Sequence, residues 1–209
     1  MNRGQTFFLI LTILISNIRA QNFRYVPEDW YIITKPGAIT AITEDNFHLY
    51  FATQNGVYNY NKGSEDFQYD YSFSVQLEFP DIKHFYFDSY RGYFWVVHRR
   101  GISYKSSVSS IWREMSLMNS GIYSYNEIDD IGSSSEYFWI RSGNEEHPFD
   151  PFSAMPVEWM EAKDEVDFIQ WGHSWNGLSG TEIEVSSYVI EGDWSVGLHK
   201  ISHRDGREM

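Results

Sequence analysis

Residues 171–177, Trp-Gly-His-Ser-Trp-Asn-Gly, have the most unusual local composition in the chain, with two tryptophans flanking a histidine among glycines. Two indole rings exposed on a loop can stack on a sugar ring or hold a peptide. The alternative is that one or both rings fill the core beneath a glycine-rich turn. We predict a ligand-binding site formed by Trp171, His173 and Trp175.

Pairs of acidic residues occur at Asp129-Asp130, Glu145-Glu146 and Asp164-Glu165. Glycoside hydrolysis needs two carboxyl groups that face each other across a sugar. Neighbouring residues in a strand point to opposite faces, so these pairs alone do not supply that arrangement. His199 and His203 have the spacing of ligands on a helix, but an extended chain separates them by about 13 Å. The sequence predicts no catalytic, metal-binding or cofactor-binding residue.

The charge and cysteine content of the chain exclude several classes of function. Acidic residues outnumber basic residues by 29 to 16, a formal net charge of −13. A surface of this sign does not neutralise phosphates, which excludes nucleic acid as a partner. The absence of cysteine excludes disulfides, thiolate metal sites and cysteine nucleophiles. Aromatic residues make up 18 % of the chain, which is typical of a folded domain.

The N-terminus has the pattern of a secretory signal peptide. Arg3 precedes an apolar run over residues 7–15, and the small residue Ala20 follows. A nine-residue helix is about 14 Å long, too short to cross a hydrocarbon core of about 30 Å. We predict a signal peptide over residues 1–20 and no transmembrane segment after its cleavage. The lack of cysteine in an exported protein favours a bacterial periplasmic or extracellular location.

An internal repeat of about 45 residues organises the middle of the chain. Tyr50 and Trp95 are 45 positions apart, and so are Gly56 and Gly101. A weaker third copy places Trp139 44 positions after Trp95, without a glycine turn, and a degenerate fourth copy follows. Such periods indicate repeated supersecondary units. We expect the three aromatic residues to occupy equivalent inward positions on successive units.

Each copy contains short alternating runs separated by turns, which predicts strands and hairpins. Asn55-Gly56 predicts a type I′ hairpin turn. Residues 67–73 are expected to form the outermost strand of the first unit and residues 111–115 that of the second. Four strands per unit at this period are typical of β-propeller blades. The predicted fold is all-β and propeller-like, with about four partial or divergent four-stranded blades.

The first copy combines Ile39-Thr40-Ala41-Ile42 with residues 49–58, Leu-Tyr-Phe-Ala-Thr-Gln-Asn-Gly-Val-Tyr. This pattern resembles the blades of bacterial two-component-regulator-type propellers, which have Ile-x-Ala-Ile, a short turn, an aromatic-led strand ending in threonine, a glycine turn and a tyrosine. The second copy matches in part, with His98 in the threonine position. The resemblance covers about a third of the chain. It implies a module like those of periplasmic sensor proteins.

Three of the six prolines, Pro148, Pro151 and Pro156, interrupt the third unit. Proline lacks the N–H that a central strand needs, so residues 143–156 are expected to form a long loop on one face or a boundary. We divide the chain into a signal peptide (1–20), a propeller-like repeat region (21–142), a proline-rich loop or boundary (143–165) and a divergent C-terminal blade-like region (166–209).

The sequence does not decide whether the predicted blades close into a complete ring. The 209 − 20 = 189 residues after the signal peptide hold about four units. An incomplete ring would need a partner or an oligomer to cover its open edges. Closed propellers commonly join their N- and C-terminal strands in one blade. We therefore expect residues 30–33, Trp-Tyr-Ile-Ile, to pair with a strand within residues 183–203.

These observations favour an exported, non-enzymatic binding or scaffolding module with a protein or glycan partner. The alternatives are a carbohydrate-active enzyme, a glycosidase, on the same scaffold and a structural envelope protein that assembles through open sheet edges. Loops carry most of the recognition chemistry of rigid β scaffolds. The expected recognition surface is one end of the propeller, including loops 143–156 and 171–177.

Overall fold

Four antiparallel β-sheets make up the described part of the chain. The computed structural model describes residues 37–74, 81–172, 181–185, 188–193 and 197–203, which all belong to one compact unit over residues 35–209. Within these ranges, no helix is both long and apolar enough to cross a membrane. The predicted all-β, propeller-like fold is confirmed.

The first two sheets have the same simple topology, in which each strand pairs with the next one along the chain. The first sheet contains β1 (Ile39–Glu44), β2 (His48–Thr53), β3 (Gly56–Asn61) and β4 (Phe67–Tyr69), and the four-residue helix α1 (Tyr71–Ser74) follows it. The second contains β5 (Ile82–Asp88), β6 (Tyr93–His98), β7 (Gly101–Ser106) and β8 (Arg113–Met115).

The third sheet departs from this topology. It contains β9 (Ile128–Ser133), β10 (Phe138–Ser142), β11 (Glu145–Phe149) and β12 (Gln170–Trp171), in the order β11-β10-β9-β12. Helix α2 (Trp159–Ala162) and a 3₁₀ helix (Lys163–Phe168) connect β11 to β12, and another 3₁₀ helix (Tyr125–Glu127) precedes β9. The fourth sheet contains β13 (Thr181–Val185), β14 (Tyr188–Asp193) and β15 (Gly197–His203).

The repeat places its three core aromatics as expected. Tyr50, Trp95 and Trp139 lie on β2, β6 and β10, the second strand along the chain in each of these sheets, and all three are buried. Tyr50 packs edge-on against Phe94 of the second sheet, with 5.0 Å between ring centroids. Trp95 stacks on Phe138 of the third sheet at 3.9 Å. Each of these two rings therefore fills the interface with the next sheet.

The fourth sheet packs against the first. Ile190 of β14 belongs to the same buried cluster as Ile42 and Phe51, and Ile201 of β15 packs against that cluster. Contact between the last and first sheets is the neighbour relation that a ring of blades has. Residues 30–33 lie outside the described residues, so their expected pairing stays a prediction and closure of the ring is not tested.

The hairpin between β2 and β3 is confirmed, but its predicted type I′ turn is wrong. Thr53 pairs directly with Gly56, so the two turn residues are Gln54 and Asn55. The left-handed backbone belongs to Gly56, with φ +124°, and not to Asn55. The third copy also has a glycine turn, contrary to expectation, because Gly143 adopts φ +61° between β10 and β11.

The predicted outer strands are partly correct. In the first sheet, β4 ends at Tyr69 because the Asp70 carboxylate accepts hydrogen bonds from the Ser72 N–H at 2.9 Å and the Ser72 hydroxyl at 2.7 Å, which starts helix α1. In the second sheet, the strand begins at Arg113 and not at residue 111. The segment expected to be a loop over residues 143–156 contains β11, although its proline lies within the strand.

A buried polar network joins the second and third sheets. The Asp88 carboxylate accepts hydrogen bonds from Arg91 Nη1 at 2.9 Å and from the Ser133 hydroxyl at 3.1 Å. The Tyr86 hydroxyl lies 2.6 Å from Ser133 Oγ, and Arg91 also donates to the Ser134 carbonyl at 3.2 Å. These bonds fix the end of β9 against β5, which positions the third sheet.

His84 makes this interface sensitive to pH. Its Nε2–H donates to the Ile128 carbonyl at 3.2 Å, and burial lowers its pKa to about 4. His84 therefore stays neutral in the folded protein down to about pH 4, whereas in the unfolded chain it binds a proton from about pH 6.5 downward. This contribution to stability is complete above pH 6.5 and is lost as pH falls to 4, by about 3 kcal/mol in total.

We expect His84→Gln, whose side-chain amide can still donate to the Ile128 carbonyl, to flatten the pH dependence of the free energy of unfolding between pH 6.5 and 4. Urea denaturation of both proteins across this range measures the difference. Parallel pH profiles for the two proteins would contradict the assignment to His84.

Candidate functional site

The outer edge of β11 is open. In the first two sheets, the third strand pairs with a fourth strand on its outer side, β4 or β8. In the third sheet, the fourth strand β12 pairs instead with β9 at the opposite edge. Among the described strands, none pairs with the outer side of β11, where a single bridge joins Phe149 to Pro156.

A tight turn after β11 brings the chain back beside the end of this edge. The Asp150 carboxylate accepts hydrogen bonds from the backbone N–H groups of Phe152 at 2.9 Å and Ser153 at 2.7 Å. These hydrogen bonds lower the pKa of Asp150, and the bond from the Ser153 N–H has the largest effect. Ala154 adopts φ +56°, and the Asp150 N–H donates to the Met155 carbonyl at 2.9 Å. The chain thus reverses and returns along β11.

The returning chain shows which backbone groups of β11 face outward. The Val157 N–H donates to the Pro148 carbonyl at 2.9 Å, so the backbone groups of Pro148 point away from β10. Alternate residues of a strand direct these groups to the same side. The N–H and C=O of Glu146 therefore also point outward, and no described residue forms a backbone hydrogen bond with them there.

A cavity of about 700 Å³ lies along this edge. We call it the β11 groove, and three segments line it, residues 119–120, 144–148 and 155–159. Its volume falls within the usual range for ligand sites, about 300–1,000 Å³. The groove is therefore large enough for a short stretch of a partner molecule.

The β11 groove is acidic. Its lining includes Glu145, Glu146 and Glu158 and, among the described residues that form it, no lysine or arginine. Glu146 Oε1 lies 3.9 Å from Arg141 Nε, and Glu145 Oε2 lies 3.9 Å from His147 Nε2. Pairs at this distance and exposure neutralise little of the charge, so the groove favours cationic ligands.

Apolar side chains complete the lining. Trp159 is 42 % exposed and Met155 is 54 % exposed. The Trp159 ring packs edge-on against the buried Trp139, with 6.1 Å between centroids, which fixes its position at the groove. A partly exposed indole held by a rigid neighbour beside carboxylates is well suited to binding a cation.

Trp171 lies elsewhere on the third sheet. It belongs to β12 and pairs with Gly132, and the Arg141 guanidinium lies 3.9 Å from the centre of its ring. One face of this indole is therefore covered from within the chain, and Trp171 is not part of the groove lining. His173 and Trp175 lie outside the described residues, so the site predicted from these three residues stays a prediction.

A glycosidase requires two carboxylates with room for a sugar between them. Asp130 and Glu146 flank Arg141 on neighbouring strands of the third sheet, so a guanidinium lies between them in the register. Burial raises the pKa of Asp130. No group of three or more His, Asp or Glu side chains suited to a metal ion occurs in the described ranges.

Comparison with known proteins gives structural similarity without a family. No family model and no curated protein matches the sequence. The computationally designed Ika4 protein is 11 % identical, with a TM-score of 0.44, over 83 % of this chain and 95 % of that chain.

Two natural bacterial proteins also match. The extracellular domain of the hybrid two-component system BT3049 from B. thetaiotaomicron is 15 % identical over 84 % of this chain, with a TM-score of 0.44. PorZ, a surface component of the type-IX secretion system of Porphyromonas gingivalis, is 8 % identical over 75 %, with a TM-score of 0.43. The matched regions are 25 % and 21 % of those two chains.

Trp159 lies outside the recognition loops expected from the sequence, whereas Met155 lies within the expected loop 143–156. The segment Met155-Pro156-Val157-Glu158-Trp159 combines three apolar residues with one proline and one acidic residue, which signals an exposed apolar surface in a loop. The groove overlaps the expected recognition segment 143–156, but it includes the edge of a strand as well as loops.

Proposed function

We propose that this chain is an exported, non-enzymatic binding module that recognises a polypeptide partner in the β11 groove. The observation that carries the proposal is the open edge of β11, with an acidic and aromatic cavity directly beside it. The signal peptide over residues 1–20 belongs to the same proposal, because it would bring the module to partners outside the cytoplasm.

Exposed apolar side chains support a protein partner. They cluster between residues 152 and 168, in the segment that forms one side of the groove and continues beyond it: Phe152, Met155, Trp159, Met160 and Phe168. Aromatic and methionine side chains are enriched at protein interfaces, and concentrated exposed apolar surface marks binding sites. Polar carboxylates at the edge of such a surface would orient the partner.

The arrangement of the acids supports binding over catalysis. Glu145 and Glu146 are neighbours on β11, so their side chains point to opposite faces of the sheet. The two carboxyl groups therefore do not face each other across a substrate, as the two carboxyl groups of a glycosidase do.

The test is selection of peptides from a random display library on the full chain. We expect selected peptides to bind at least tenfold more weakly to Trp159→Ala, a loss of about 1.4 kcal/mol, because an aromatic side chain at the centre of an interface contributes strongly. Trp171→Ala is the matched control and should change affinity less than threefold. Isothermal titration measures both.

The outcomes separate the candidate sites and functions. Loss of binding in Trp171→Ala but not in Trp159→Ala would place recognition at the predicted Trp171, His173 and Trp175 site and overturn the groove proposal. Release of sugars from polysaccharides by the full chain, abolished by Glu145→Gln or Glu146→Gln, would instead establish the glycosidase.

A further inference from the structure

We infer that the β11 groove receives a basic, extended segment of the partner polypeptide as an added strand, paired with the open edge of β11. This inference rests on the proposed function and specifies its binding mode. Strand addition to an exposed sheet edge supplies affinity through main-chain hydrogen bonds and specificity through alternate side chains. Three features of the groove favour this binding mode: the outward backbone groups of β11, the partial covering of its edge by the chain itself, and the acidic charge.

Glu146 supplies the backbone groups. Its N–H and C=O face the position that β4 and β8 occupy in the first two sheets, about 4.8 Å from the third strand. An added strand can accept one hydrogen bond from Glu146 and donate one to it. The part of β11 before Pro148, residues 145–147, extends over about 10 Å, so the accessible edge matches a segment of about three residues.

The chain already pairs with the neighbouring part of this edge. The Val157 N–H donates to the Pro148 carbonyl, and Pro156 bridges Phe149. The chain then departs at Glu158, whose φ of −63° and ψ of 131° lead into helix α2. The edge is thus covered as far as Pro148 and open from there to Asn144, and the groove lies along this open part.

The charge of the groove specifies a basic segment. Glu146 and Pro148 share one face of β11, while Glu145 and His147 share the other. Lysine or arginine side chains on either face of an added strand would therefore meet a carboxylate, and Trp159 offers an indole for a cation–π contact. A second copy of this acidic chain would instead bring like charges together.

A matched pair of variants isolates the backbone contribution. Glu146→Pro removes both the charge and the outward N–H, whereas Glu146→Gln removes the charge alone. The proline should be tolerated because this N–H points away from β10, as the nitrogen of Pro148 does. We expect Glu146→Pro to bind a nine-residue peptide of alternating lysine and valine at least tenfold more weakly than Glu146→Gln. Thermal melting of both variants checks that they are folded.

The peptide supplies an independent test on the unaltered protein. Because the open edge takes one N–H of an added strand, at the residue opposite Glu146, methylating every second nitrogen of the lysine–valine peptide should weaken binding at least tenfold in one of the two phases and little in the other. Replacing the lysines with glutamates should abolish binding. These measurements keep the inference testable even if Glu146→Pro does not fold.

Different results would contradict the inference and the proposed function. Equal binding of the two N-methylated peptides, an acidic peptide that binds equally well, or a lysine–valine peptide that does not bind would overturn strand addition by a basic segment. Library peptides that still require Trp159 would then leave the proposed function intact, whereas a library without binders would overturn that function. A dimer in sedimentation velocity that Glu146→Pro abolishes would show that a second copy occupies the edge, which also overturns the inference.

Discussion

Replacing Trp95 with alanine should lower the free energy of unfolding by about 4 kcal/mol, because a fully buried tryptophan leaves a large cavity. Its ring is stacked between Tyr104, at a centroid distance of 4.6 Å, and Phe138, at 3.9 Å. The substitution therefore removes a stacking contact between the second and third sheets. Urea denaturation monitored by circular dichroism measures the change.

Two further variants test whether loss of the stacked ring causes the loss of stability in Trp95→Ala. Trp95→Phe keeps an aromatic ring in the stack and removes an indole N–H that has no hydrogen-bond partner among the described residues, so it should cost less than half as much as Trp95→Ala. Trp159→Ala, at a partly exposed position, should cost about 1 kcal/mol or less. A loss below 1 kcal/mol for Trp95→Ala would contradict the central position of this ring.

The second large effect is expected at Gly132, where β9 and β12 approach closely. A Cβ atom at this position would lie 2.5 Å from the Gln170 carbonyl oxygen, a backbone atom that cannot move without breaking the β9–β12 pairing. We expect Gly132→Ala to lower the free energy of unfolding by about 3 kcal/mol, the upper part of the usual range for overpacking. Urea denaturation measures the loss.

The control is Gly63→Ala, where a Cβ would lie 3.4 Å from one side-chain atom of Asn61 and should change stability by less than 1 kcal/mol. Hydrogen exchange gives a local measurement, since the amides of Gln170 and Gly172, which face β9, should lose protection in Gly132→Ala before those of β10 do. Equal stability of the two glycine variants would show that β12 does not pair tightly with β9.

Gly132 also helps to explain why the edge of β11 beside the groove is open. The register equates it with Tyr86 of the second sheet, since they pair with Trp139 and Trp95 respectively. A large side chain fills that position in the second sheet, while glycine in the third leaves room for β12. Because β12 takes the β9 edge, the outer edge of β11 is left without a fourth strand.

Local patterns in the sequence were sufficient to predict the strands of the first two sheets and the burial of Tyr50, Trp95 and Trp139. Hairpins pair residues that are near in sequence, and a period of two already specifies which face is buried. The repeat of about 45 residues then predicted successive sheets of one type. Turn details, such as the glycine turn at Gly143, followed only from backbone angles.

The groove depended on contacts between residues distant in sequence. Prolines suggested a loop over residues 143–156, because the sequence does not show that Pro148 points its nitrogen away from β10 and so fits within β11. The position of β12 beside β9 joins residues about 40 apart, and only packing at Gly132 permits it. The exposure of Trp159 likewise follows from where α2 lies against Trp139. Composition determined that the surface is acidic; tertiary structure decided which strand edge those carboxylates surround, because an edge is open only when no distant segment reaches it.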